Sequence, residues 1–96
     1  MVIERIRSLG WDMSEPRGVE NFLYFPTQEA ANHASELIGR LEYDLEVRLG
    51  ADGTNWLVEA NRRQVITIDT IRAMRAELTS IAVAADGEYD GWGVGK

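Results

Sequence analysis

A turn sequence flanked by two alternating segments constrains this fold more than any other feature. Leu45, Val47 and Leu49 alternate with Glu46 and Arg48. After Gly50-Ala51-Asp52-Gly53-Thr54, the residues Trp56, Val58 and Ala60 alternate with Leu57, Glu59 and Asn61. A period of two puts one set on a buried face and the other on the opposite face. Asp-Gly is a preferred sequence for reversing the chain between strands. The segment therefore predicts a β-hairpin of two half-buried strands.

The remaining elements arrange themselves around that hairpin. Val19 to Phe25 is largely aromatic and aliphatic, with apolar residues on both faces, which predicts a central strand. Pro26-Thr27 ends it, and Thr27 can cap a helix whose apolar stripe is Ala30, Ala34, Leu37, Ile38 and Leu41. Asp69 can cap a second helix carrying Ile71, Met74, Leu78, Ile81 and Ala85, with Asp86-Gly87 as its stop. A last strand follows. Residues 2–9 carry Ile3, Ile6 and Leu9 at helical spacing and predict a short N-terminal helix. The order βαββαβ is the split βαβ of the ferredoxin-like α+β class: a four-stranded antiparallel sheet with two helices on one face. Residues 1–18 form an extension and 19–96 the domain, a single domain overall.

Composition narrows the function. Without cysteine there is neither a disulfide framework nor a thiolate nucleophile. The longest apolar run, Ile81 to Ala85, is far short of a membrane span, and the first residues alternate charged with apolar types, unlike a secretory leader. These features predict a cytoplasmic protein without a membrane segment. The net charge of −6, with no basic stripe, argues against direct nucleic-acid binding and favours a cationic protein partner.

The chemistry-bearing residues offer little for catalysis. His33, the only histidine, sits beside a helical apolar stripe with no partner in view, and reads as a helix-surface residue. Asp86, Glu88, Asp90 and Gly91 match half of a calcium loop, but the bidentate glutamate of its twelfth position is lacking. Glu88 and Asp90 could pair as acid and base, yet one small strand without a pocket suits a partner-facing role better. No cofactor or metal is expected.

A sharper expectation concerns the sheet face away from the helices. With Glu20 and Glu59 facing solvent, period two adds Phe22, Tyr24 and Leu57, together with Glu46 and Arg48. With Tyr89 toward the core, Glu88, Asp90 and Trp92 join them. Aromatic groups ringed by carboxylates mark an interaction surface. Three occupants fit that pattern equally: a protein partner, the chain's own Ile3, Ile6, Leu9 and Trp11, or a second copy in a homodimer.

Two stretches carry a resemblance. Pro16-Arg17-Gly18-Val19-Glu20-Asn21-Phe22-Leu23-Tyr24-Phe25-Pro26-Thr27 opens the domain, and Glu88-Tyr89-Asp90-Gly91-Trp92-Gly93 closes it. Together, over residues 10–95, they resemble the ribonuclease E inhibitor family, the RraB-like regulators of ribonuclease E activity. Glu88, Tyr89, Asp90, Gly91 and Trp92 are the positions that match the family signature. The resemblance implies a ferredoxin-like domain that is not an enzyme, binds the endoribonuclease, lowers its activity and so modulates RNA turnover. Two departures stand out: Asn21 occupies a position where many members have histidine, and the long acidic extensions of the best-known members are lacking. The alternative class is a dimeric small-ligand-sensing module, an analogy of fold alone.

Overall fold

The computed structural model describes residues 15–95. Its elements are β1 (Arg17–Phe25), α1 (Gln28–Gly39), β2 (Asp44–Leu49), β3 (Trp56–Gln64), α2 (Ile68–Ala84) and β4 (Glu88–Val94). The sheet order is β2-β3-β1-β4, and every neighbouring pair is antiparallel. This is the ferredoxin-like arrangement expected from the sequence, with β1 central. The helix expected over residues 2–9 lies outside the described residues.

Strand β1 shows why the sheet is two-sided. Val19, Asn21, Leu23 and Phe25 are buried, while Glu20, Phe22 and Tyr24 between them are half-buried. The first set meets both helices. Ala31, Ala34 and Ile38 of α1, and Ile71, Met74, Leu78 and Ala82 of α2, pack with Val19, Leu23, Phe25, Val58 and Ala60 of the sheet. Burying each Val, Leu, Ile, Met or Phe side chain among them contributes about 1.5–3 kcal/mol, and the alanines less.

Local chemistry sets the helix ends. Thr27 Oγ1 accepts from the Ala30 amide at 3.1 Å, as its position before the apolar stripe predicts. The second helix starts earlier than expected. Its cap is Thr67, not Asp69: Thr67 Oγ1 accepts from the Thr70 amide at 3.0 Å, and Thr70 Oγ1 accepts from the Thr67 amide at 2.9 Å. Asp69 falls in the first turn, where its charge favours the helix dipole. The hairpin turn is pinned by Asp52, whose carboxylate accepts from the amides of Thr54 and Asn55 at 2.9 and 3.0 Å. Those bonds hold the Asp52 carboxyl below its ordinary pKa.

Candidate functional site

Register decides which side chains share the face opposite the helices. Across β1 and β3, Glu20 pairs with Asn61, Phe22 with Glu59 and Tyr24 with Leu57. Across β3 and β2, Glu59 pairs with Glu46 and Leu57 with Arg48. Directly opposed residues point to the same side. Glu20, Phe22, Tyr24, Leu57, Glu59, Glu46 and Arg48 therefore share one face. On β4, Glu88 pairs with Tyr24 and joins them.

Trp92 does not. Strict alternation from Tyr89 would place it with Glu88, but the β1–β4 register shifts between Phe22 and Leu23. Leu23 pairs with Tyr89 and Phe22 with Gly91, so Asp90 is the extra residue of a bulge. Parity inverts there. Trp92 pairs with the buried Asn21, and both Tyr89 and Trp92 pack on the helix-side core. Gly91 supplies the backbone the bulge needs, with φ of 152°. An isolated glycine within a strand pattern, here in Asp90-Gly91, is the signal that could have revealed it.

The bulge leaves glycines where the face would otherwise carry side chains. Gly91 lies opposite Phe22 and Gly93 opposite Glu20. A Cβ built on either meets no heavy atom of the described residues within 4 Å. On its β4 side, the Phe22 ring thus has no side-chain neighbour in register.

The acidic groups divide into two kinds. Glu59 is spent within the molecule: it accepts from Asn61 Nδ2 at 2.8 Å and from Arg48 Nη2 at 3.1 Å, and these bonds hold its carboxyl below the ordinary range. Arg48 also pairs with Glu46 at 3.0 Å. By contrast, Glu20, Glu88 and Asp90 form no ion pair among the described residues, and Glu88 and Asp90 are exposed. Leu57 is 7% exposed, flanked across the strands by Tyr24 and Arg48, so it packs the face and offers little contact surface. His33 is exposed on α1, matching its reading as a surface residue. Among the described residues no group of three or more His, Asp or Glu is placed to hold a metal, and no helix is long and apolar enough to cross a membrane.

On the helix side of β4, the Tyr89 hydroxyl donates to Asn21 Oδ1 at 2.7 Å, and Asn21 Nδ2 donates to the Ala60 carbonyl at 3.2 Å. Burial pushes the Tyr89 phenol up to about 12. Tyr43, also driven upward mainly by burial, adds in the same direction. The folded state thus holds these protons more tightly than the unfolded chain does. That stabilisation is complete below about pH 10, the unfolded tyrosine value, and is lost as pH rises toward 12. Urea midpoints measured from neutral pH to about pH 11 should fall above about pH 10. Tyr89→Phe should flatten that fall.

These features define a small acidic α+β domain of the ferredoxin-like type, with one sheet face carrying aromatic groups and unpaired carboxylates. The family model described as RraB, regulator of ribonuclease activity B, matches residues 1–94. The chain belongs to the RraB family, and the match takes in the first nine residues, which the opening and closing motifs do not reach. No curated protein matches the chain.

Proposed function

We propose that this protein is a non-catalytic cytoplasmic regulator of RNA turnover that binds an endoribonuclease of the ribonuclease E type and lowers its activity. The docking surface is the face opposite the helices, with Phe22 and Tyr24 as anchors and Glu20, Glu88 and Asp90 as the free charges. One observation carries this reading: aromatic rings stand next to unpaired carboxylates on a sheet strip that Gly91 and Gly93 leave without side chains. Such a strip suits a cationic segment, whose guanidinium or ammonium groups can stack on a ring while pairing with a carboxylate. Glu59 and Leu57 flank Phe22 and Tyr24 on the β3 side; Trp92 supports β4 from the helix side.

Gly93 makes the reading testable without disturbing the fold. A Cβ there meets nothing among the described residues and a side chain gains strand propensity, yet it would occupy the strip. Gly93→Leu should leave the thermal midpoint unchanged and weaken binding to purified ribonuclease E by about tenfold or more, as should Phe22→Ala. Reversing Glu20 and Glu88 to lysine should slow association and reduce its salt dependence. In a cleavage assay the unaltered protein should lower turnover of RNA by the nuclease and cleave none itself. Undiminished binding by Gly93→Leu and Phe22→Ala would move the docking surface elsewhere. A second copy as the occupant would appear as a dimer that Gly93→Leu dissociates.

A further inference from the structure

On the opposite side of the sheet, a cavity of about 290 Å³ opens between the end of β3 and the first turns of α2. Arg62, Gln64, Val65, Thr70, Met74 and Glu77 line it. Arg62 is held firmly there. Its Nη1 donates to the Leu41 carbonyl at 3.1 Å, and its Nε and Nη2 donate to Gln64 Oε1 at 3.2 and 2.9 Å. Its guanidinium stacks 4.1 Å from the centre of the Tyr43 ring. A guanidinium has five N–H groups, so one on each Nη remains unspent.

Glu77 faces the same space and, among the described residues, makes no hydrogen bond or ion pair, with Arg62 or otherwise. Yet both charges reach the buried Tyr43 phenol, one raising and one lowering its proton affinity. A fixed cation on β3 and an anion on α2 with no partner among the described residues thus line one cavity, with Val65 and Met74 supplying apolar surface. A ligand with one charge would satisfy half of this arrangement. A zwitterion with a hydrocarbon branch would satisfy all of it.

We propose that this cavity binds a free α-amino acid with a mid-sized aliphatic side chain: carboxylate on Arg62, ammonium on Glu77, side chain against Val65 and Met74. The volume lies at the small end of ligand pockets, about 300 Å³, which suits a ligand of this size. The site is separate from the docking face and stands whether or not that face binds a nuclease.

The test titrates the ¹⁵N-labelled full chain with L-leucine and follows its amide resonances. Saturable shifts centred on Arg62 to Glu77, with a dissociation constant on the order of 1 mM, are expected. L-leucinamide lacks the carboxylate and 4-methylpentanoate lacks the ammonium; each should bind about tenfold more weakly or worse. Glu77→Gln changes one exposed helix residue and should weaken L-leucine to the same degree with the thermal midpoint unchanged. Ala73→Leu, on the exposed part of the cavity wall, should abolish binding by filling it. The proposal is overturned by the absence of saturable shifts, by equal binding of the one-charge analogues, or by full affinity in Glu77→Gln.

Discussion

Gly87→Ala is expected to lower stability by about 3 kcal/mol, at the upper end of the cost of overpacking. A Cβ at this position would collide with Phe25 Cδ1 and stand 2.6 Å from the Tyr24 carbonyl oxygen. Neither neighbour can give way easily. Phe25 is 1% exposed in the centre of the core, and Tyr24 is fixed by pairing on both sides in the middle of the sheet. The glycine is tied from its own side as well. Its amide donates to the Ala82 carbonyl at 2.7 Å while the Asp86 amide donates to Val83, and Asp86 adopts φ of 59°. That pair of bonds is the Schellman closure of α2, which aims the chain directly at β1. A domain of 96 residues holds roughly 5–14 kcal/mol in total, so the loss is a large share. Calorimetry should show the midpoint fall by about 15 °C. Gly93→Ala is the control: the same chemical change meets open space there and should stay within about 0.5 kcal/mol of the parent. Equal losses at both sites would mean that generic glycine effects, and not the approach of backbone to Phe25, set the cost.

Gly87 also illustrates what the sequence discloses. Asp86-Gly87 is legible as a helix stop because helix-ending chemistry is local. The same holds for Thr27 before α1, for Asp52-Gly53 between β2 and β3, and for the apolar run that makes β1 central. Each signal lies within a few residues of the structure it specifies, and the order of such signals is sufficient to select the ferredoxin-like topology. That Gly87 presses on Phe25, 62 positions away, is not local and has no sequence signature.

The face was less legible than the fold for a related reason. Period-two reasoning counts residues, and a bulge adds one to the count. Every assignment before Asp90 survives: Glu20, Phe22, Tyr24, Leu57, Glu59 and Glu88 share one side. Beyond Asp90 the parity flips and carries Trp92 to the helices. Burial likewise depends on neighbours across strands, which is why Leu57 reads as exposed by alternation yet is enclosed between Tyr24 and Arg48. The charge of Glu59 is cancelled by Arg48, eleven residues earlier on another strand. The cavity beside Arg62 is still further from view, since it joins β3, a loop and α2 through side chains with no common spacing.

The closing signature Glu88-Tyr89-Asp90-Gly91-Trp92 therefore divides its labour: its carboxylates face outward and its aromatics anchor β4. The anchor predicts a specific pattern of coupling. Tyr89→Phe removes the donor to Asn21 Oδ1, an atom of a side chain with no solvent exposure, and should cost about 1–3 kcal/mol. Asn21→Leu keeps the branching and heavy-atom count of the parent side chain, though it is bulkier, and strands the Tyr89 hydroxyl in the same half-buried place, at a similar or larger cost. The double variant leaves neither group unpaired, and an apolar pair of similar shape replaces a polar one. Its loss should be smaller than the sum of the singles by about 1–2 kcal/mol. Urea unfolding of the four proteins, followed by circular dichroism, closes the cycle. Additive losses would show that the 2.7 Å bond contributes no energy of its own, and that β4 is held by the packing of Tyr89 and Trp92 and by its ladder to β1 alone.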